Sequence, residues 1–342
     1  MREILNTLYV TSGNKYLSLD GENIVVKENK KEVSRVPLNN LDAVITFSYT
    51  SASPSLIRKC SEKNIPIVFM NQYGSFMGRT SGKVNGNVLV RKKQYQISDS
   101  KDSLLIARNM ILAKVYNSRW VLERFTRDHP MQVDCVQLKT VSAYLKEHLK
   151  DIRECEDVDI LRGIEGKMAS EYFSVFDELI IQQKKEFFFH TRKRRPPLDN
   201  VNALLSLSYS LLTTMTTSAL EGVGLDPCVG FMHGLRPGRY SLALDLMEEL
   251  RPVFADRFVL KIINKRILTS KDFQIREDGA VVLTEEGKKV FLKEWQERKK
   301  EEIVHPYLGE KLQWGMVPHM QALLLARHIR GDLEEYPPFL WK

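Results

Sequence analysis

Apolar and polar positions change rhythm about a third of the way along the chain. Over the first 70 residues they form short runs with a period near two, the mark of strands. Leu5 to Val10, Tyr16 to Leu19, Asn23 to Glu28, Glu32 to Val36 and Ala43 to Phe47 are predicted strands, rich in β-branched and large apolar side chains. Asp20-Gly21 is a two-residue hairpin signal between the second and third. A short helix is expected at Pro54 to Glu62, with proline in its first turn. The apolar run IPIVFM at 65–70 then reads as a buried strand. This part is expected to be a small all-β unit, a sandwich.

After about Ser100 the spacing becomes helical, in segments 102–127, 134–150, 157–184, 199–221, 241–264, 285–303 and 316–330. One hairpin interrupts them at 273–284, turning at Asp278-Gly279, and Thr284 can cap the helix that follows. The tail GDLEEYPPFLWK, rich in proline and aromatics, is expected to pack on a surface. The fold class is therefore α+β: an N-terminal β-sandwich domain over 1–98 and a mainly α-helical domain over 99–342.

Composition adds modest constraints. At 342 residues the chain is long for one core, and 43% hydrophobic with 27% charged residues is ordinary for a globular protein. MREILNTLYV lacks a signal peptide's apolar run, and no apolar stretch is long enough to span a bilayer. The four scattered cysteines form no CxxC pair, which suits a reducing cytoplasm and argues against structural zinc. The formal charge of +8 favours a polyanionic partner, although many basic proteins touch no nucleic acid.

Where the charge sits is more informative. From Lys63 to Ser98 there is no acidic residue, while Lys63, Arg79, Lys83, Arg91, Lys92 and Lys93 are basic. The stretch GKVNGNVLVRKKQYQ combines Gly, Asn and cations, which lets a backbone approach phosphates closely; it reads equally as a solvated hairpin. A second basic run, Lys184-Lys185 and Arg192-Lys193-Arg194-Arg195, surrounds Phe187, Phe188 and Phe189. Cations interleaved with aromatics suit strand contact by charge and stacking, unless the phenylalanines are the buried end of the preceding helix.

Candidate chemistry lies in two segments. Along 157–184, Leu161, Ile164, Met168, Tyr172, Val175 and Leu179 form one stripe, and Glu165 falls on its edge, within GIEG. A carboxylate there must be paired or bound to a cation. Gly163 and Gly166 would admit another segment or a phosphate. Glu171 is also near the edge, and Asp177 is expected to be a solvent charge. In GFMHGLRPGRYSLALDLMEELRP, His233 lies in a Gly-rich turn, and Ser241 is expected to cap a helix apolar nearly all round. Asp245 and Glu248 leave that helix about 60° apart. Two such carboxylates repel unless a cation or an arginine lies between them, and Arg236, Arg239 and Arg251 are candidates for a salt-bridge network. Carboxylates with one imidazole suit Mg²⁺ or Mn²⁺ better than zinc, and such an ion would support phosphodiester chemistry.

These segments resemble the CRISPR-associated integrase family, the catalytic core protein of the spacer-acquisition module. The likeness runs through LYVTSGNKYLSLDGENIVV, ITFSYTSASPSLIRKC, LRGIEGKMASEYFSVFDELI and GFMHGLRPGRYSLALDLMEELRP. RRPPLDNVNALLSLSYSLL and EYPPFLWK resemble the type I subtype C branch. The resemblance implies a β-sandwich N-terminal domain that dimerises, a helical catalytic domain, and a metal-dependent DNA endonuclease and integrase. The implied ligands are Glu165 in G-x-E-G, His233 in G-F-x-H and Glu248 at the end of D-x-x-[DE], with Asp245 as that motif's first acid, a fourth catalytic residue that joins the ligands or orients His233. Implied partners are double-stranded DNA, a second copy of the chain, and the smaller companion adaptation protein in a heterohexamer. Candidate DNA contacts are Lys83, Arg91, Lys92, Lys93, Arg192, Arg194, Arg195, Arg236 and Arg239. The rival readings are a generic repair or junction nuclease and a non-catalytic DNA-binding scaffold.

Overall fold

Strand-forming sequence in the first 80 residues builds two four-stranded sheets, as a computed structural model describing residues 6–80, 82, 88–193 and 196–342 shows. The strands are β1 (Thr7–Val10), β2 (Lys15–Asp20), β3 (Asn23–Glu28), β4 (Lys31–Pro37), β5 (Ala43–Phe47), β6 (Ser51–Ala52), β7 (Ile67–Met70) and β8 (Phe76–Arg79), with helix α1 (Pro54–Glu62) after β6. One sheet has the order β1-β5-β7-β8 and the other β4-β3-β2-β6. In the first, β1 and β7 flank β5 in parallel, with Tyr9 opposite Ile45 and Ile45 opposite Val68.

Side-chain alternation on β5 and β7 explains why both are apolar throughout. Val44 and Ile67 face the second sheet and join Leu17, Ile24, Val26 and the α1 residues Leu56 and Cys60 in one core. Ile45, Phe47, Val68 and Met70 face the other way and belong to the core of the helical part. The first sheet is thus a middle layer, buried on both faces, which a run such as IVFM requires.

The helical part comprises α2 (Val88–Ser98), α3 (Asp102–Asp128), α4 (Cys135–Glu147), α5 (Leu149–Glu154), α6 (Val158–Ser174), α7 (Asn200–Gly222), α8 (Ser241–Glu248), α9 (Arg257–Asn264), α10 (Glu285–Lys300) and α11 (Val317–Arg330). Side chains of Asp134, Asp157, Asp199 and Thr284 accept from the first-turn amides of α4, α6, α7 and α10. The hairpin of β9 (Phe273–Ile275) and β10 (Val281–Leu283) turns at Gly279, whose φ is 78°. A second small hairpin pairs β11 (Glu302–Val304) with β12 (Lys311–Gln313), and the helical spacing over 285–303 overruns its first two residues. Among the described residues no helix is long and apolar enough to cross a membrane.

Five local readings differ from the structure. Residues 88–98 form α2, not a hairpin, and α2 packs on α11 and α3. Its Gln94 is fully buried and grips the loop before His233, donating to the carbonyls of Asp226 and Val229 at 2.8 and 2.9 Å. The segment 241–264 is not one α-helix: Pro252 cannot donate its amide, and a π-helical stretch over Arg251–Asp256 separates α8 from α9. Ser241 is the first residue of α8 rather than its cap, and its hydroxyl donates to Gly234 O. Helix α6 ends at Ser174 because the chain turns to bury Phe176, Leu179, Phe187 and Phe189. Asp177, expected in solvent, accepts the Phe189 amide at 2.6 Å, and only Phe188 of the three phenylalanines is exposed.

Candidate active site

Three helices and one loop bring the acidic residues together. Helix α6 carries Glu165 and, one turn earlier, Arg162, whose guanidinium donates to Met232 O and so holds the loop bearing His233. Helix α8 carries Asp245 and Glu248, both buried, and α3 brings Lys114 beneath them.

Asp245 organises the loop. Its carboxylate accepts the amides of Phe231, Met232 and His233 at 2.7, 3.0 and 3.0 Å, and lies 2.5 Å from His233 Nδ1. A carboxylate has no proton to give, so Nδ1 donates, and in the neutral ring the lone pair is then on Nε2. The loop comes this close because residue 230 is glycine: a Cβ there would stand 2.6 Å from Asp245 Oδ2 and 2.9 Å from the Ser241 carbonyl carbon. Among the described residues, the groups that donate hydrogen bonds to Asp245 all lie in this loop, His233 Nδ1 among them.

Glu165 and Glu248 meet on one ammonium. Lys114 Nζ contacts Glu165 Oε1 and lies 2.7 Å from Glu248 Oε2. Arg251 Nη1 reaches Glu248 Oε1 at 3.1 Å, and its guanidinium stacks on Tyr209. Burial alone would raise the pKa of Glu248, but the Arg251 and Lys114 charges outweigh it, with His233 adding to them, and hold it well below the usual carboxylate range. Of the two acids near the stripe edge, Glu165 is the one that shares Lys114 with Glu248. Among the described residues Gly163 and Gly166 admit no other segment, since nothing lies within 4 Å of a Cβ built on either. They leave the surface beside Glu165 open.

Among the described residues no three His, Cys, Asp or Glu groups stand close enough to form a ready-made metal cage. The donor chemistry nevertheless fits a hard divalent cation. Two carboxylates already converge on a positive charge, and Glu248 Oε2, fully buried, meets Lys114 as an ion pair without hydrogen-bond geometry. His233 is close enough to act electrostatically on Glu248.

The candidate DNA contacts divide. Lys92 and Lys93 are exposed on α2, whereas Arg91 donates to Gly224 O at 3.1 Å and is half-buried. Arg236 is exposed and Arg239 half-buried in the loop after His233. Arg192 is not a free loop cation: it donates to Asn202 Oδ1 at 2.7 Å and to Ser206 Oγ at 3.1 Å and lies over Tyr209. Lys63 and Arg79 pair with Glu22 and Glu221. Lys83, Arg194 and Arg195 lie outside the described residues.

A family profile described as "CRISPR associated protein Cas1" matches residues 8–297 of this chain. The chain belongs to the Cas1 family. It is 48% identical to CRISPR-associated endonuclease Cas1 2 of Rhodospirillum rubrum and 44% identical to CRISPR-associated endonuclease Cas1 1 of Chlorobaculum tepidum, with all of each chain covered. Its fold matches the solved Cas1 protein of Thermotoga maritima with a TM-score of 0.82 at 25% identity, covering 95% of this chain and 97% of that one. A casposase bound to integration product shares the fold, with a TM-score of 0.84 at 23% identity over 98% of this chain and 93% of the other. The Cas1 assignment agrees with the resemblance in the motifs and with the α+β architecture.

Sequence reasoning missed Lys114, Arg162 and Gln94. For Lys114 there was a signal: ILAKVYN places one lysine inside an apolar stretch of α3. Arg162 and Gln94 had none, since long polar side chains on helices usually face solvent.

Proposed function

We propose that this Cas1 protein is the strand-joining enzyme of CRISPR adaptation, with Glu165, His233 and Glu248 as the ligands of a Mg²⁺ or Mn²⁺ ion. The observation that carries the reading is the convergence of two carboxylates from different helices on one positive charge, beside an imidazole whose tautomer Asp245 sets. Such an ion, when bound, polarises a phosphodiester and activates the attacking oxygen. Glu165 and Glu248 supply the anionic oxygens that hold it, and His233 supplies Nε2. Asp245 keeps Nδ1 protonated and the ring aimed, the orienting role of a carboxylate behind a ligating histidine. Arg251 stays on the far oxygen of Glu248 and balances its buried charge. Exposed Lys92, Lys93 and Arg236 would hold DNA phosphates, with the half-buried Arg91 and Arg239 behind them.

In this reading the 3′-hydroxyl of a captured duplex attacks a phosphodiester at the repeat boundary, the bond to the repeat strand's 3′-oxygen breaks and that oxygen leaves as a hydroxyl; nicking is the same displacement by water. The N-terminal sheets form the unit that pairs two copies, and the catalytic domain begins before α2 rather than after it, because α2 is docked on the helices. Two dimers on a dimer of the companion adaptation protein, working on double-stranded DNA in the cytoplasm, complete the proposal.

Incubating the pure protein with its companion, a short duplex and a repeat-bearing plasmid tests it. Joined product is expected only with Mn²⁺ or Mg²⁺. Glu165→Ala and His233→Ala should each abolish nicking and joining while circular dichroism stays native. Near wild-type turnover from either would remove that residue from the ligand set, and nicking without joining would favour a repair or junction nuclease.

A further inference from the structure

We propose that Lys114 is a built-in counter-ion that occupies the metal centre before the metal arrives and must leave its place when the metal binds. The inference rests on the ligand reading above and adds a competitor to it. Glu165 and Glu248 come from different helices, α6 and α8, and Glu248 is buried, so two bare carboxylates there would repel in a poorly solvated setting. Lys114 contacts both, with Nζ at 2.7 Å from Glu248 Oε2. It therefore neutralises the pair in the metal-free protein and keeps both helices in register.

Glu248 has two cationic partners, and they are built differently. Arg251 is anchored, its Nη1 3.1 Å from Glu248 Oε1 and its guanidinium 4.9 Å from the centre of the Tyr209 ring. Lys114 carries its charge on a flexible four-carbon stem, and its contacts on the ammonium are the two carboxylates themselves. A divalent ion shared by those carboxylates would stand within ion-pair distance of the ammonium, and like charges at that range repel. The arginine cannot yield without breaking its stack. The lysine can, towards the open surface beside Glu165, whose side chain is 21% exposed.

Coupling between two cations on one site is reciprocal: what the metal does to Lys114, Lys114 does to the metal. If the ammonium is out of the way about a tenth of the time, its removal tightens apparent metal affinity roughly tenfold. Calorimetric Mn²⁺ titration and thermal melting of the full chain, as wild type, Lys114→Met and His233→Ala, test this. The expected result is that Lys114→Met melts lower than wild type without metal, binds Mn²⁺ roughly tenfold more tightly, and gains more melting temperature from Mn²⁺ than wild type does. Lys114→Gln carries the same readouts if the methionine variant does not fold. Wild type that binds Mn²⁺, with His233→Ala impaired and the Lys114 variants unchanged or weaker, would overturn the counter-ion role alone. Equal binding by wild type and His233→Ala would instead overturn the ligand set on which it depends.

Discussion

Asp245→Asn is the substitution whose effect the structure lets us work out most fully. The carboxylate faces four donors, three main-chain amides at 2.7 to 3.0 Å and His233 Nδ1 at 2.5 Å, in a fully buried position. Asparagine has one acceptor oxygen and one NH₂ group. With the NH₂ in place of Oδ2 it confronts the amides of Phe231 and Met232, and two buried donors are left facing a third. At about 1–3 kcal/mol for each buried unsatisfied donor, this orientation costs roughly 2–6 kcal/mol. With the NH₂ in place of Oδ1 it confronts the His233 amide and Nδ1. The imidazole can then rescue one bond by moving its proton to Nε2 so that Nδ1 accepts. That rescue removes the lone pair with which Nε2 would hold a metal. Both orientations therefore damage the protein, one through stability and the other through the tautomer. The assay is urea unfolding for the first and ¹⁵N-histidine NMR with Mn²⁺ titration for the second. An Asp245→Asn protein with wild-type stability, tautomer and Mn²⁺ affinity would refute the reasoning.

Two further outcomes follow from the charge distribution. Glu249 is fully buried, and burial raises its pKa from an ordinary 4.5 to about 8 against the opposing bonds from Tyr336, Phe339 and Gln321. Because its folded value is raised, native stability is fullest below about pH 4.5 and declines as pH rises to about 8. Glu249→Gln should flatten that decline relative to wild type in urea melts taken from pH 5 to 8, and an unchanged slope would count against it. Lys92→Ala with Lys93→Ala should weaken duplex binding for all sequences alike and flatten the log–log salt slope by roughly one unit per lost phosphate contact. Filter binding between low and moderate salt reads this directly, and an unaltered slope would mark α2 as mere solvated surface.

Much of this protein follows from rules that act within a few residues. Strand runs such as AVITF, the helix opening at Pro54, the turn at Asp278-Gly279 and the cap at Thr284 each depend on neighbours in the chain, so reading them needs no tertiary knowledge. The acids were legible too, since a carboxylate on the edge of an apolar stripe has to find a partner. The break at Pro252 was also written in the chain, but the apolar spacing on either side of it masks it. What the partners are is a different matter. Residues 88–98 become a helix because Gln94 finds the carbonyls of Asp226 and Val229, far away in sequence. Lys114 meets Glu165 and Glu248 only once α3, α6 and α8 have packed, and Asp245 becomes the anchor of His233 only because Gly230 lets the loop close over it. Periodicity records which face of an element is buried. Only packing decides which buried charge ends beside which, because electrostatic partners are chosen by distance in space and not along the chain.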